Sequence, residues 1–166
     1  MSGQLAANRH RDAVIVSQRS SSNWNGNQWR AIANTPDGIL YGVSAVSSAD
    51  VWAVGDVYGK PLMMHWDGKS WPSAASSATG TRLSSVAARA TYDVWAVGYR
   101  YDQYAAQVAI LHWDGRDWTT AHATGPGLSG NMLNGAVAVS ASESRAGGSY
   151  WHYYEAQQAL IMRSIA

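Results

Sequence analysis

The strongest constraint on the fold of this chain is an internal repeat. The hexapeptide Asp-Val-Trp-Ala-Val-Gly occurs at residues 50–55 and again at 93–98, and identity over six consecutive residues is not a chance match. Downstream of each copy, His-Trp-Asp-Gly-x-x-Trp occurs at 65–71 and at 112–118. The second copy has more residues between the two motifs, so the segment that joins them tolerates insertion and is expected to be a loop.

A third, weaker copy of the unit follows the first two. Residues 92–113 can be laid on 142–163 without a gap, which places Met162 at the position of His112. In this alignment the third unit keeps the strand pattern but loses the repeated histidine.

The repeat is circularly shifted along the chain. The third unit has no Trp-Asp-Gly-x-x-Trp segment, whereas Trp-Asn-Gly-Asn-Gln-Trp at residues 24–29, ahead of the first unit, keeps the same spacing. We therefore expect residues 24–34 to supply the outer strand that closes the last unit, which would also protect an exposed sheet edge.

Repeat units of about 40–50 residues with four short strands each are typical of β-propeller blades. Short runs rich in Val, Trp and Tyr, broken by Gly, Asp, Asn and Ser, also indicate strands throughout. We predict an all-β fold, a β-propeller with three four-stranded blades per chain and a ring completed by oligomerisation. The predicted boundaries are 39–75, 83–123 and 133–166 for the blades, the last of them incomplete, 24–34 for its outer strand, and 1–23 for an N-terminal segment of unclear role.

The strands within each blade follow from the repeat. The third and fourth strands are joined at Asp-Gly or Asn-Gly, a pair that readily takes positive φ in a tight hairpin. The N-terminal segment has one further strand-like run at residues 13–17. The predicted strands are 42–46, 86–89 and 136–140 (first), 51–54, 94–97 and 145–148 (second), 62–66, 109–113 and 159–163 (third), and 70–73, 118–121 and 28–33 (fourth).

The two motifs together carry a resemblance. Asp-Val-Trp-Ala-Val-Gly paired with His-Trp-Asp-Gly-x-x-Trp resembles the Trp-rich β-propeller repeats of bacterial proteins, over residues 24–163. That resemblance implies the fold and no single activity. The Trp-Asp-Gly-x-x-Trp hairpin is also similar to that of small bacterial fucose-binding propeller lectins, in which a two-blade chain oligomerises to complete the ring. Their flanking sugar-ligand pattern is not recognisable here, so this similarity implies architecture rather than sugar specificity.

Composition excludes several classes of function. The 166 residues include no Cys, which excludes disulfides, Cys-ligated zinc, thiol nucleophiles and iron–sulfur clusters. Twelve basic residues against 11 acidic ones give a net charge of +1, which offers little support for binding a phosphate backbone. No apolar run is long enough to span a membrane. We expect neither nucleic acid nor membrane as a partner. The compartment stays open, because this chain has no signal-peptide core and a secreted parent is compatible with the sequence.

No catalytic constellation is evident. Gly-rich phosphate loops, Gly-x-Ser-x-Gly elbows, Ser-His-Asp spacing and carboxylate clusters are all missing from the sequence. His65 and His112 share one repeat position, and a recurring position is more typical of packing or a satisfied hydrogen bond than of a metal ligand. The same argument assigns the hexapeptide Trp to the space between blades and the hexapeptide Asp to hydrogen bonds in a turn. We predict a protein that is not an enzyme and needs no metal or cofactor.

Aromatic residues concentrate in the connections between the second and third strands of the blades. Seven of the nine tyrosines lie there. These connections emerge on one face of a propeller, around the mouth of its axial channel, so we expect them to converge. Polar side chains accompany them, as in ligand sites that are mostly aromatic. The predicted ligand-binding residues are Tyr58, Tyr99, Arg100, Tyr101, Asp102, Tyr104, Tyr150, Trp151, His152 and Tyr153.

Two classes of function fit this pattern. The first is a carbohydrate or small-ligand binding module, in which aromatic faces stack on sugar C–H surfaces and charged groups bind hydroxyls. The second is a structural or protein-interaction scaffold that uses the same loops as an interface. Tyrosines selected only for β-propensity, or packed on a partner chain, are the simpler alternative. Because rings close with about four to eight blades, three blades per chain predict a homo-oligomer, favouring a six-bladed dimer.

Overall fold

In the computed structural model, side chains are described for residues 37–74, 78–140 and 142–164, and the backbone for four strands nearer the N-terminus. Those strands pair antiparallel in chain order and form the N-terminal sheet: β1 (Leu5–Ala7), β2 (Ala13–Ser17), β3 (Ser20–Trp24) and β4 (Trp29–Ile32). Within this described part there is no helix long and apolar enough to cross a membrane.

Ten further strands form three antiparallel meanders, which we number as blades. Blade 1 contains β5 (Ile39–Ser47), β6 (Asp50–Val57) and β7 (Lys60–Trp66); blade 2 contains β8 (Thr81–Ala90), β9 (Asp93–Tyr101), β10 (Ala106–Trp113) and β11 (Trp118–Ala121); blade 3 contains β12 (Gly130–Ser140), β13 (Glu143–Trp151) and β14 (Gln158–Arg163). Among the described residues, the predicted fourth strand of blade 1 corresponds to one bridge, between Met64 and Ser73. A single parallel pair, Ala106 with Gly130, joins blades 2 and 3. The described part of the chain is all-β, as predicted.

The arrangement of the N-terminal part differs from the prediction. The described strands form four antiparallel units, one more than the three predicted, and β4 pairs with β3 instead of closing blade 3. Residues 24 and 29 are paired across the predicted hairpin, whose turn at 25–28 lies outside the described residues. The repeat did not reveal this sheet because only its last hairpin keeps the motif. Strands that follow each other along the chain pair most readily, and β3 directly precedes β4.

The hexapeptide glycine fits against a bulge in the first strand of each blade. Irregular register lies between residues 40 and 42, 83 and 85, and 133 and 135. Opposite these bulges, a Cβ at Gly55, Gly98 or Gly148 would collide with the carbonyl oxygen of the first strand. The repeated glycine is therefore required by the close approach of two backbones.

The blades pack through their first strands and through a face of each sheet. The Ser44 Oγ accepts the Ala88 N–H at 2.9 Å, and the Ser85 Oγ accepts the Ala136 N–H at 3.1 Å. Between blades 1 and 2, Trp52, which is 1% exposed, belongs to a buried apolar cluster. The other buried members of this cluster are Val54, Met63, Leu83, Val86, Val94, Ala96, Leu111 and Trp118.

Strand β14 is slipped by one residue relative to the gapless alignment. In blade 2, Trp95 lies opposite His112, whereas in blade 3 the equivalent Arg145 lies opposite Arg163. Arg163, and not Met162, therefore occupies the histidine position. The slip arises because the β13–β14 connection has one residue more than the gapless alignment allowed. A slip of one residue turns each side chain of the strand to the opposite face of the sheet. The side chain of Ile161 is accordingly 80% exposed.

Candidate functional site

The repeated histidines belong to a network of packing contacts. The Nε2 atom of His65 lies 2.8 Å from Asp50 Oδ1, and that of His112 lies 3.0 Å from Asp93 Oδ1. Each imidazole also stacks on the hexapeptide Trp, with ring centroids 4.3 Å and 4.2 Å apart. The hexapeptide Asp thus bonds a side chain of the third strand rather than a turn, because strands two and three pair side by side. Within the described residues, no three His, Asp or Glu side chains are grouped as a metal site would need.

The second strands are longer than predicted, which changes where the aromatic residues lie. Tyr99 and Tyr101 belong to β9, and Tyr150 and Trp151 belong to β13, rather than to loops. The turns hold the rest of the predicted tyrosines, all of them exposed: Tyr58, Tyr104 and Tyr153.

Two of the hairpin tips have ordered turns. Tyr58 takes φ of 50° and Gly59 φ of 75°, so both residues of the β6–β7 turn are left-handed. In the β9–β10 turn, Asp102 Oδ1 accepts the N–H groups of Tyr104 and Ala105, both at 2.8 Å. These backbone hydrogen bonds lower the pKa of Asp102. Asp102 therefore shapes its own turn.

Trp151 and His152 hold the connection between blades 2 and 3. A Cβ at Gly130 would collide with the indole of Trp151. The Trp151 carbonyl accepts the Ser129 N–H at 3.1 Å, and His152 Nδ1 accepts the Leu128 N–H at 3.3 Å. Both residues are half-buried, so a structural role accounts for their position. Tyr150 donates its hydroxyl hydrogen to Gln158 at 2.6 Å and meets His152 edge-on.

Among the predicted ligand-binding residues, Tyr99 and Tyr101 belong to a cluster of side chains that includes residues of blade 1. Their rings meet edge-on with centroids 5.4 Å apart. The Tyr99 hydroxyl accepts Nη1–H of Arg82 at 3.1 Å. Arg82 in turn lies over the Tyr41 ring at 4.2 Å, donates to the Tyr41 hydroxyl and approaches Asp56 at 3.4 Å. We call these five residues the Arg82 cluster; it spans blades 1 and 2.

Arg100 lies apart from this cluster. Successive residues of a strand face opposite sides of the sheet, so Arg100 faces away from its two tyrosine neighbours. It lines a separate cavity of about 300 Å³ with Thr81, Val108 and Thr120.

Sequence reasoning missed Arg82 and Tyr41 because both lie in first strands rather than in loops. The equivalents of Arg82 are Ile39 and Met132, as the bulge register shows. The sequence did contain one signal for this site: Arg82 is charged at a repeat position that is apolar in the other two blades. Burial raises the pKa of the Tyr41 hydroxyl against the opposing effect of Arg82. The Tyr41 hydroxyl oxygen accepts the hydrogen bond from Arg82.

Comparisons with known proteins agree with this fold. No protein-family model and no curated protein matches the chain. Among solved structures, a β-propeller protein, "YCF48 bound to D1 peptide", is similar at a TM-score of 0.57 and 14% identity, over 91% of this chain and 51% of that one. This chain thus spans about half the length of that protein. A fucose lectin from Kordia zhangzhouensis, in complex with methyl-fucoside, has a TM-score of 0.48 and 20% identity, over 69% of this chain and 92% of that one.

Proposed function

We propose that this chain is a non-catalytic binding module that binds a neutral, hydroxyl-rich ligand of the carbohydrate class at the Arg82 cluster. The observation that carries the proposal is the arrangement of Arg82, which is held by Tyr41, Asp56 and Tyr99 from two blades while its side chain stays 42% exposed. A guanidinium fixed in this way is preorganised for a ligand.

The charges and rings of the cluster select the ligand class. Asp56 balances the charge of Arg82, which disfavours a strongly anionic ligand and leaves N–H donors that the three protein contacts do not use. The ring of Tyr101 is 64% exposed and offers an aromatic face beside these donors. Polar groups next to an exposed ring suit a sugar, whose hydroxyls and C–H faces need both. The β-propeller neighbour was solved with a peptide bound, which supports a binding role. The ligand class proposed here rests on the geometry of the Arg82 cluster.

A glycan array followed by calorimetric titration tests this function. Arg82→Lys keeps the charge but loses the planar fork, so we expect affinity for the selected glycan to fall by about tenfold or more. Tyr101→Ala should also weaken binding. Tyr104→Ala is the matched control, because Tyr104 is exposed on the next turn outside the cluster, and it should bind like the wild type. An array without a hit, or equal losses for Tyr104→Ala, would contradict the proposal.

The second candidate is a scaffold that assembles with another copy of itself, and one exposed face favours it. Met63, Ile110 and Ile161 occupy the same register position in the three blades. Met63 is fully buried against blade 2, Ile110 is half-buried, and Ile161 is 80% exposed, with Val137 56% exposed on the same face. A second copy that packs a blade here would bury this face as the internal junctions do. Two chains of four units each would supply about eight blades, within the usual range for a ring. Light scattering should then give a mass of about two 17.9 kDa chains.

A further inference from the structure

The junction between blades 2 and 3 contains a cleft. Its cavity measures about 330 Å³, within the size range of ligand pockets. Trp95, Val97 and Ile110 line one side, and Ala136, Ser144 and Met162 are among the residues on the other.

The junction between blades 1 and 2 shows what a filled cleft looks like. There, the Trp52 ring packs against Trp113 and Trp118, with centroids 5.3 Å and 5.4 Å away. Trp118 is the first residue of the outer strand of blade 2. Trp95 is the counterpart of Trp52 and has no such indole neighbours among the described residues.

Among the described residues, the second cleft differs from the first junction in its smaller side chains and in the unpaired edge of its last strand. Val94 lies opposite Trp113 in blade 2, and in blade 3 the corresponding pair is Ser144 and Ser164, joined by backbone N–H bonds at 2.8 Å. No strand in the described part of the chain pairs with the outer edge of β14. Among the described residues, none fills in blade 3 the position that an outer strand and its indole fill in blade 2.

A residue that lines the cleft has a buried polar atom, which suggests the chemistry of an occupant. Ser144 is only 7% exposed, and its Oγ atom has no hydrogen-bond partner in the described part of the molecule. An unpaired buried hydroxyl costs free energy until a ligand supplies a partner. In blade 2, Trp118 Nε1 is also buried and has no hydrogen-bond partner among the described residues. In blade 3, Ser144 takes the place that Val94 has in blade 2. The N–H of an indole bound in the cleft would therefore have the Ser144 hydroxyl as an acceptor.

We propose that the cleft binds an extended peptide segment that carries a tryptophan. The segment pairs antiparallel with the open edge of β14, which is recognition by strand addition. Its indole enters the cleft beside Trp95 and donates its N–H to the Ser144 Oγ. The site shares no residue with the Arg82 cluster and does not depend on the carbohydrate proposal.

Binding of a labelled peptide to the whole chain tests this site. The probe is a synthetic peptide with the sequence of residues 117–123, the outer strand that fills the same place in blade 2, followed by fluorescence anisotropy. We expect saturable binding, weakened about tenfold or more when the peptide's tryptophan is replaced by alanine. Failure of the parent peptide to bind, or equal binding of the alanine peptide, would overturn the proposal.

Protein variants locate the peptide in the cleft. Ala136→Leu should fill the cleft and abolish binding, whereas Tyr104→Leu, at an exposed turn residue that does not line the cleft, should leave affinity unchanged. Ser144→Ala removes the acceptor with little change of volume and should weaken binding about fivefold. Circular dichroism confirms that each variant is folded. Unchanged affinity in both Ala136→Leu and Ser144→Ala would overturn the site.

Two further measurements distinguish the proposed peptide from other possible occupants of the cleft. If N-acetyl-tryptophanamide binds as tightly as the peptide, the cleft takes a free aromatic ligand, and strand pairing is overturned. If the peptide binds only after a dimer of this chain has been diluted into monomers, the second copy occupies the cleft in the dimer. That result would overturn the proposal of a separate peptide partner.

Discussion

Among individual residues, Asp93 shows how one carboxylate joins three side chains. It accepts hydrogen bonds from Arg89, Trp95 and His112, at 2.6, 3.0 and 3.0 Å. Burial alone would raise the pKa of Asp93, but the bonds from Arg89 and His112 hold it below its ordinary value. A carboxyl with a lowered pKa in the folded state stabilises the fold above its unfolded-state pKa. That contribution is lost as the pH falls through the folded-state value.

We therefore expect Asp93→Asn to lower the free energy of unfolding by about 1–3 kcal/mol at pH 7. The difference from the wild type should shrink as the pH falls from about 4 toward 2, where the wild-type carboxyl becomes protonated. Denaturant unfolding followed by circular dichroism at several pH values measures this. The same difference at every pH would show that the charge of Asp93 does not matter.

Tyr58 is a residue whose backbone conformation does not suit its side chain. It is 93% exposed and left-handed, in a two-residue turn whose first position favours Asn or Gly. We expect Tyr58→Asn to raise the free energy of unfolding by about 0.5–1 kcal/mol. Tyr104→Asn is the control, because Tyr104 is exposed on the neighbouring hairpin without positive φ, and it should not stabilise. Thermal melts compare the two; a lower melting temperature for Tyr58→Asn would contradict this account.

At the level of the strand, the bulges of the first strands decide which glycines are indispensable. In β13, a Cβ at Gly148 would collide with the Met132 carbonyl, whereas at the adjacent Gly147 the nearest atom, the Leu160 carbonyl oxygen, is 4.0 Å away. We expect Gly148→Ala to lower the free energy of unfolding by about 1–3 kcal/mol. Gly147→Ala should change it by less than about 1 kcal/mol. Equal effects in chemical denaturation would mean that the bulge tolerates a side chain.

For the whole molecule, the exposed face of blade 3 governs assembly. If a second copy covers Val137 and Ile161, lysine at both positions should prevent association, because charges would be buried at the junction. We expect the double variant to have the mass of one chain in light scattering, while Leu128→Lys, an exposed apolar position away from this face, keeps the wild-type mass. A wild type that is itself monomeric would contradict the assembly.

Much of the fold could be predicted from the sequence because each blade is built from neighbouring segments. The repeat predicted the meander order of strands in the three blades, and β11 begins and ends where it was predicted. The Asp-Gly turns follow from the same local chemistry, with Gly68 and Gly115 at positive φ. The candidate site could be predicted only in part: Tyr99 and Tyr101 were identified, but Arg82 and Tyr41 were not.

The remaining features depend on which strands meet. The partner of β4, the slip of β14 and the open cleft at Trp95 are set by pairings between segments, and a periodic pattern does not specify those pairings. The slip arises from one additional residue in a connection, which exchanges the two faces of the strand that follows it. Arg82 meets Tyr41 and Asp56 only because blades 1 and 2 pack side by side. By itself, the sequence determined the strands and the turns within each blade. The tertiary structure decided which side chains share a junction, because contacts between blades join residues far apart along the chain.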